Sequence, residues 1–187
     1  NPIVLDKSVN KRLRWPHFVK ICKLARDNGA EVKAYILLKP PYLSEKESIE
    51  DAVKSAIDAA PHVDKISINP VNVQKNTVVE KLWFRNEWTA PWLWSVIEVL
   101  KRCEDLPVRV YSDPTGGGTR RGAHNCHNCN KKILEALKNH RLGVKDLKGL
   151  HCDCKPRWDA LVKQSALRRN GSEPHGYRSG FAGSRHF

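Results

Sequence analysis

At 187 residues the chain can hold one ordinary core plus a small appendage, but not two equal domains. It contains no methionine and begins on Asn1, which suggests a piece of a longer protein; no apolar run reaches membrane-spanning length, and the opening NPIVLDKSVNKRLRW lacks a secretory pattern, so a soluble cytoplasmic protein with no membrane attachment is expected. The formal net charge of +13 is uneven: residues 1–114 carry 18 Lys+Arg against 15 Asp+Glu, whereas residues 115–187 carry 15 against 5. Basicity concentrated in one stretch suits a phosphate-rich partner such as nucleic acid, because each cation that neutralises a phosphate releases condensed counterions; a solubilising surface is the plainer alternative.

Pro16, followed by Phe18, Val19, Cys22 and Leu24 and closed by Gly29, predicts a helix of about three turns in which Cys22 is a small buried residue. VKAYILL (32–38) is mostly apolar without strict alternation, as expected of a parallel strand covered on both faces. Ser44 and Glu47 stand at capping-box spacing ahead of a helix whose apolar side is Ile49, Val53, Ala56, Ile57 and Ala60. A second strand is predicted at 64–68, and Thr77 and Glu80 repeat the capping spacing before a short helix. Pro91 can open a helix that buries Leu93, Val96, Ile97, Leu100 and Cys103, and a third strand is predicted at 108–111. Helix and strand alternate through this region, which predicts an α/β fold of βα repeats. Residues 1–114 therefore read as an α/β scaffold and 115–167 as a basic Cys-rich module with two short helices. The Gly- and Ser-rich 168–187 reads as a disordered tail.

Cys126 and Cys129 (Cys-x-x-Cys) with Cys152 and Cys154 (Cys-x-Cys) have the spacing of two thiolate pairs converging on one ion, and structural zinc is the expected occupant. An iron–sulfur cluster, free thiols and disulfides are the alternatives. His124, His127 and His151 flank these pairs and could replace a cysteine, although such neighbours are more often solvated. Gly116, Gly117 and Gly118 could aim backbone N–H groups at an anion beside Arg120 and Arg121, or form a flexible hinge; the spacing is not that of a P-loop. Lys39, Asn69, Asn72, Gln74, Ser112 and Asp113 fall at strand carboxyl ends, the rim where βα folds bind ligands; loop capping is the simpler role for any one of them. The tryptophan cluster of Trp88, Trp92 and Trp94 is expected in the core, with one ring stacking on a base as the alternative. Arg120, Arg121, Lys131, Lys132 and Arg157, with Arg168 and Arg169, form the expected RNA-binding surface.

NPIVLDKSVNK, VKAYILLKPP with SEKESIEDAVKSA, SINPVNVQKNTVVEKLW, APWLWSVIEVL and SDPTGGGTRRGAHNC together resemble the second half of the archaeosine-biosynthesis radical SAM enzymes, members of the Elp3-like radical SAM group, over roughly residues 1–160. The resemblance implies the carboxyl-terminal part of a partial (β/α) barrel, S-adenosylmethionine, a [4Fe–4S] cluster and action on tRNA. It further implies cleavage of a lysine adduct on the modified deazaguanine of the D-loop to leave the amidine of archaeosine, in company with the lysine-transferring archaeosine synthase subunit. In that setting Lys39, Asn69, Asn72, Gln74 and Asp113 would contact S-adenosylmethionine or the modified base. The chain departs from the family in lacking Cys-x-x-x-Cys-x-x-Cys, so by itself it is expected to be inactive. The alternatives are another Elp3-like radical enzyme, or a zinc-stabilised RNA-binding module without catalysis.

Overall fold

The computed structural model describes residues 2–144 and 147–167; the predicted tail 168–187 lies outside the described residues. Helix α1 (Trp15–Asp27) leads into β1 (Lys33–Leu38), α2 (Glu45–Ala59), β2 (Lys65–Pro70), the short α3 (Val78–Phe84), α4 (Leu93–Arg102) and β3 (Arg109–Ser112). Two more helices, α5 (His127–Arg141) and α6 (Lys155–Leu167), complete the mixed α/β fold. The three strands form one parallel sheet in the order β1-β2-β3. Register pairs Lys33 with Lys65 and Leu38 with Pro70, then Lys65 with Arg109 and Ile68 with Ser112.

A period of two along each strand decides which face is buried. Ala34, Leu38, Ile66, Ile68 and Val110 belong to the core cluster with residues of α2 and α4. Leu38, Ile66, Ile68, Leu93, Val96 and Val99 are completely inaccessible, and burial of such a side chain contributes roughly 1.5–3 kcal/mol. The opposite face is open among the described residues. Tyr35 is 64% exposed and Leu37 38%, which corrects the expectation that β1 is covered on both faces. An unbroken apolar run cannot distinguish those two situations.

The capping box forms as predicted. Ser44 accepts from the Glu47 N–H, and Glu47 accepts from the Ser44 N–H. Ile49, Ala52, Val53, Ala56 and Ala59 are the buried stripe of α2, but Ile57 is 50% exposed. Each four-residue step turns about 40° past a full circle, so two steps carry Ile57 off the stripe begun by Ile49. In α1, Cys22 is buried as expected while Leu24 is exposed. Helix α4 buries the whole predicted face, yet begins at Leu93 rather than Pro91. Trp92 is extended and gives its N–H to Glu45 Oε1 (2.8 Å), and the Pro91 carbonyl accepts from the His124 N–H (3.2 Å). At α3 only half of the second predicted box forms. Thr77 caps the Glu80 N–H, while the Glu80 carboxylate turns to the Asn76 N–H and to Arg121.

The 115–167 stretch packs onto the scaffold instead of standing apart from it. Cys129, Ile133, Leu137, Leu147 and Trp158 share one core cluster with Leu93 and Ile66, and α6 lies against α2. Trp158 donates its indole N–H to Ser95 Oγ (2.8 Å) in that core. Trp88 and Trp94 are also buried, as the tryptophan-rich stretch predicts.

Candidate metal centre and ligand rim

Both cysteine pairs lie at helix beginnings. Cys126 is the N-cap of α5 and Cys129 sits in its first turn; Cys154 immediately precedes α6, and the Cys152 carbonyl accepts from the Lys155 N–H (2.9 Å). Helix amino termini favour negative charge, so the local fold supports thiolates. The four sulfurs lie within 4.8 Å of one another. Sγ of Cys126 is 3.6 Å from that of Cys129 and 3.5 Å from that of Cys152, and Cys129 is 3.6 Å from Cys154. A tetrahedron of Zn–S bonds of about 2.3 Å has edges of about 3.8 Å, so the donor set fits a single tetrahedral ion. A four-iron cluster holds each thiolate on a separate iron and needs them further apart.

Burial pushes the Cys126 thiol up, but hydrogen bonds with Cys152 and Cys129 bring it down to about 7. Cys129, buried and bound to the same neighbours, is pushed up to about 12. Trp94 gives its indole N–H to Cys154 Sγ (3.3 Å), the kind of outer contact that orients a ligand. The flanking histidines do not join the group among the described residues. His124 Nδ1 is 2.8 Å from the Gly122 carbonyl, and His151 Nδ1 is 3.1 Å from the Gly149 carbonyl.

The glycine-rich loop is closed on itself. N–H groups of Gly117, Gly118, Thr119 and Gly122 bond to the carbonyls of Pro114, Ala123, Gly116 and Thr119, so they do not converge on an anion and the segment is no loose hinge. Gly122, which sequence reasoning missed, is the tightest point: a Cβ there would overlap the Gly116 carbonyl. Val73 N–H donates to the Arg121 carbonyl (2.7 Å), and Arg121 Nε donates back to the Val73 carbonyl (3.2 Å). The Arg121 guanidinium also pairs with Glu80 and lies 5.2 Å from the Trp83 ring, so it fastens the loop to α3. Arg120, Lys131, Lys132 and Arg157 are exposed.

The rim residues divide in the same way. Asn72 Nδ2 donates to the Thr115 carbonyl (3.2 Å) and its Oδ1 accepts from Gln74 (2.7 Å), which brings β2's exit beside β3's. Asn69 accepts from Ser67, and Asp113 pairs with Arg141 at 2.6 Å, its side chain 67% exposed. Lys39 lies apart from these four. Held at φ 60° and buried, it places its ammonium 2.6 Å from Glu45 Oε2 and 3.0 Å from Thr89 Oγ1. Glu45 in turn accepts from Trp92 N–H and Ser95 Oγ (2.6 Å), and Ser95 accepts from Trp158. A chain of polar contacts thus runs from the end of β1 to α6, through Glu45 and Ser95, which no sequence pattern singled out.

No family model matches the chain. Over 162 residues it is 41% identical to archaeosine synthase subunit beta of Methanosarcina acetivorans, an alignment covering 83% of this chain and 46% of that protein. Over 172 residues it is 38% identical to archaeosine synthase subunit beta of Thermococcus kodakarensis, covering 89% and 53%. The chain is a homologue of archaeosine synthase subunit beta. It spans about half the length of these relatives. Methanocaldococcus infernus Elp3 with an N-terminal deletion superposes with a TM-score of 0.51 at 19% identity, over 77% of this chain and 34% of that one. That is a likeness of fold. No described helix is long and apolar enough to cross a membrane.

Proposed function

We propose that the chain is the second half of the partial (β/α) barrel of a tRNA-modifying radical SAM enzyme, one that performs the archaeosine lyase step by cleaving a lysine adduct to leave an amidine. The observation that carries the reading is the 41% identity to archaeosine synthase subunit beta across 83% of this chain. In the whole enzyme S-adenosylmethionine and a [4Fe–4S] cluster would supply the radical chemistry. The residues here do not fit the cluster: its Cys-x-x-x-Cys-x-x-Cys triad is absent from the sequence, and the four clustered cysteines suit one tetrahedral ion.

What these residues would do is hold and orient. Asn69, Asn72, Gln74 and Asp113 would face S-adenosylmethionine or the modified base, with Lys39 bracing the rim from behind through Glu45. Cys126, Cys129, Cys152 and Cys154 would hold zinc, locking α5 and α6 together in a segment that carries much of the positive charge. Arg120, Lys131, Lys132 and Arg157 would contact tRNA phosphates, and the lysine-transferring archaeosine synthase subunit would act on the same tRNA beforehand.

The test has three arms. The chain alone binds tRNA without changing its nucleoside content. With about four to six phosphate contacts, log affinity falls with log salt at a slope of about −3 to −5. In the full-length enzyme, Asn72→Ala and Asp113→Ala each lower archaeosine formation while zinc content and Tm stay near wild type. Elemental analysis of the chain finds about one equivalent of zinc, lost when Cys152 and Cys154 both become Ser. Unmodified turnover in both rim variants would leave the chain as a zinc-stabilised RNA-binding module.

A further inference from the structure

The first turn of α4 ties the four-cysteine cluster to the end of β1. Its N-cap, Trp92, makes no side-chain cap, so the unpaired N–H groups of this helix depend on residues distant in the chain. Glu45 Oε1, 47 residues earlier, accepts from the Trp92 N–H (2.8 Å), and Asn125 Oδ1, 31 residues later, accepts from the Trp94 N–H (3.2 Å). Asn125 stands immediately before Cys126, and its own N–H donates to Asn130 Oδ1 (2.6 Å) in α5. A backbone N–H can only donate, so the Asn125 amide is held with its oxygen toward α4. Its Nδ2 is buried without a hydrogen-bond partner among the described residues, which leaves the amide committed to that cap alone.

Two further contacts join the second cysteine pair to the same turn. The Trp94 indole donates to Cys154 Sγ (3.3 Å), and Trp158, one turn beyond Cys154 in α6, donates to Ser95 Oγ (2.8 Å). Contacts from both cysteine pairs therefore end on two consecutive residues, Trp94 and Ser95, which are 2% and 0% exposed. From Ser95 a single carboxylate completes the path to the rim. Ser95 Oγ donates to Glu45 Oε1 (2.6 Å), and Glu45 Oε2 holds the Lys39 ammonium at 2.6 Å. The segments carrying Asn125 and Cys154 belong to separate pairs of free thiols, and an ion shared by the four sulfurs would fix their separation. Packed, buried elements shift between discrete arrangements and do not deform smoothly, so a change at the cysteines reaches the far end of such a chain.

We propose that metal occupancy of the four cysteines sets the position of Lys39 at the exit of β1, with Asn125, Trp94 and Trp158 as positioning residues that act through Ser95 and Glu45. The inference rests on the reading that the cysteines hold zinc and that Lys39 braces the rim. It makes the ion a regulator of the rim's geometry, beyond its part in locking α5 and α6 together.

Amine labelling of the full chain with acetic anhydride, read peptide by peptide by mass spectrometry with zinc bound and after chelation, tests it. Lys39, 6% exposed, should label slowly in the zinc form and about tenfold faster without zinc, inside the span of about 5- to 150-fold usual for coupled sites. The exposed Lys54 of α2 should label alike in both forms. Alkylation of the buried Cys103 in the same samples reports whether the scaffold stays folded. At saturating zinc, Asn125→Ala should keep the ion yet label Lys39 at the zinc-free rate, and Asn125→Asp, which retains an acceptor for the Trp94 N–H, should restore protection. Trp94→Phe should weaken zinc binding about tenfold or more in chelator competition. Lys39 that labels at one rate with and without zinc, beside protected Cys103, overturns the coupling and leaves the zinc site in place. Chelation that opens Lys39 and Cys103 together also overturns it, because the ion then only holds the fold. A chain that binds no zinc removes the zinc reading and this inference with it.

Discussion

Replacing Glu45 separates a structural from a ligand-facing role for the end of β1. The Lys39 and Glu45 side chains are 7% and 1% exposed, and Glu45 also serves Trp92 and Ser95. Glu45→Gln keeps an acceptor for those two donors but removes the countercharge, leaving a buried ammonium unpaired. Breaking a buried pair from one side costs about 3–5 kcal/mol, a large share of the roughly 5–15 kcal/mol that stabilises a domain. Lys39→Met should cost a similar amount by stranding the carboxylate. The double variant removes both charges and should return to within about 1–2 kcal/mol of wild type, a strong departure from additivity. Urea unfolding followed by tryptophan fluorescence reads this directly, since Trp158 and Trp94 are buried next to Ser95. Single variants that each cost under about 1 kcal/mol, or that simply add, would refute the bracing role. A Lys39→Met enzyme with unchanged stability and lost turnover would return Lys39 to the ligand.

The adjacent arginines should part company. Arg121→Ala loses its Glu80 and Val73 contacts and should lower unfolding stability by about 1–2 kcal/mol, discounted for the partial exposure of the pair; Arg120→Ala should leave stability alone and flatten the tRNA salt slope by about one unit. Gly122→Ala should destabilise by about 1–3 kcal/mol through overpacking against the Gly116 carbonyl, as a thermal melt would show. Burial pushes the Cys103 thiol up to about 11 from an ordinary value of 9.0. The unfolded chain therefore loses this proton first, so the contribution is complete below about pH 9 and disappears as pH rises through about 11. It is worth about 2–3 kcal/mol, visible as the difference between wild type and Cys103→Ala in urea midpoints measured across that range.

Features carried by short-range periodicity or spacing were legible in the sequence. The box at Ser44 and Glu47, the buried face of α4 and the two cysteine pairs each depend on residues a few positions apart. What escaped depends on partners distant in the chain. Arg121 looks equivalent to Arg120 until Glu80, 41 residues earlier, is placed beside it. Lys39 at a strand exit reads as a rim cation because nothing local shows that Glu45 turns back to meet it. The run in β1 conceals its exposed side because Tyr35 and Leu37 are apolar in composition though open in position. Gly122 carries no signal at all, since its need for a bare Cα arises from a carbonyl six residues back.

The packing of α6 on α2 has a consequence for how the chain is made. Residues 45–59 leave the ribosome well before residues 155–167, so the face of α2 that α6 covers waits through the synthesis of about a hundred further residues. A surface left open that long is a target for non-native association, and its final closure joins segments far apart in sequence, a slow class of contact. Cys152 and Cys154 immediately precede α6, so capture of an ion by the four thiols would draw that late segment onto a scaffold already formed. Growth under metal starvation would then lower the yield of soluble chain before it altered any property of the molecules that do fold.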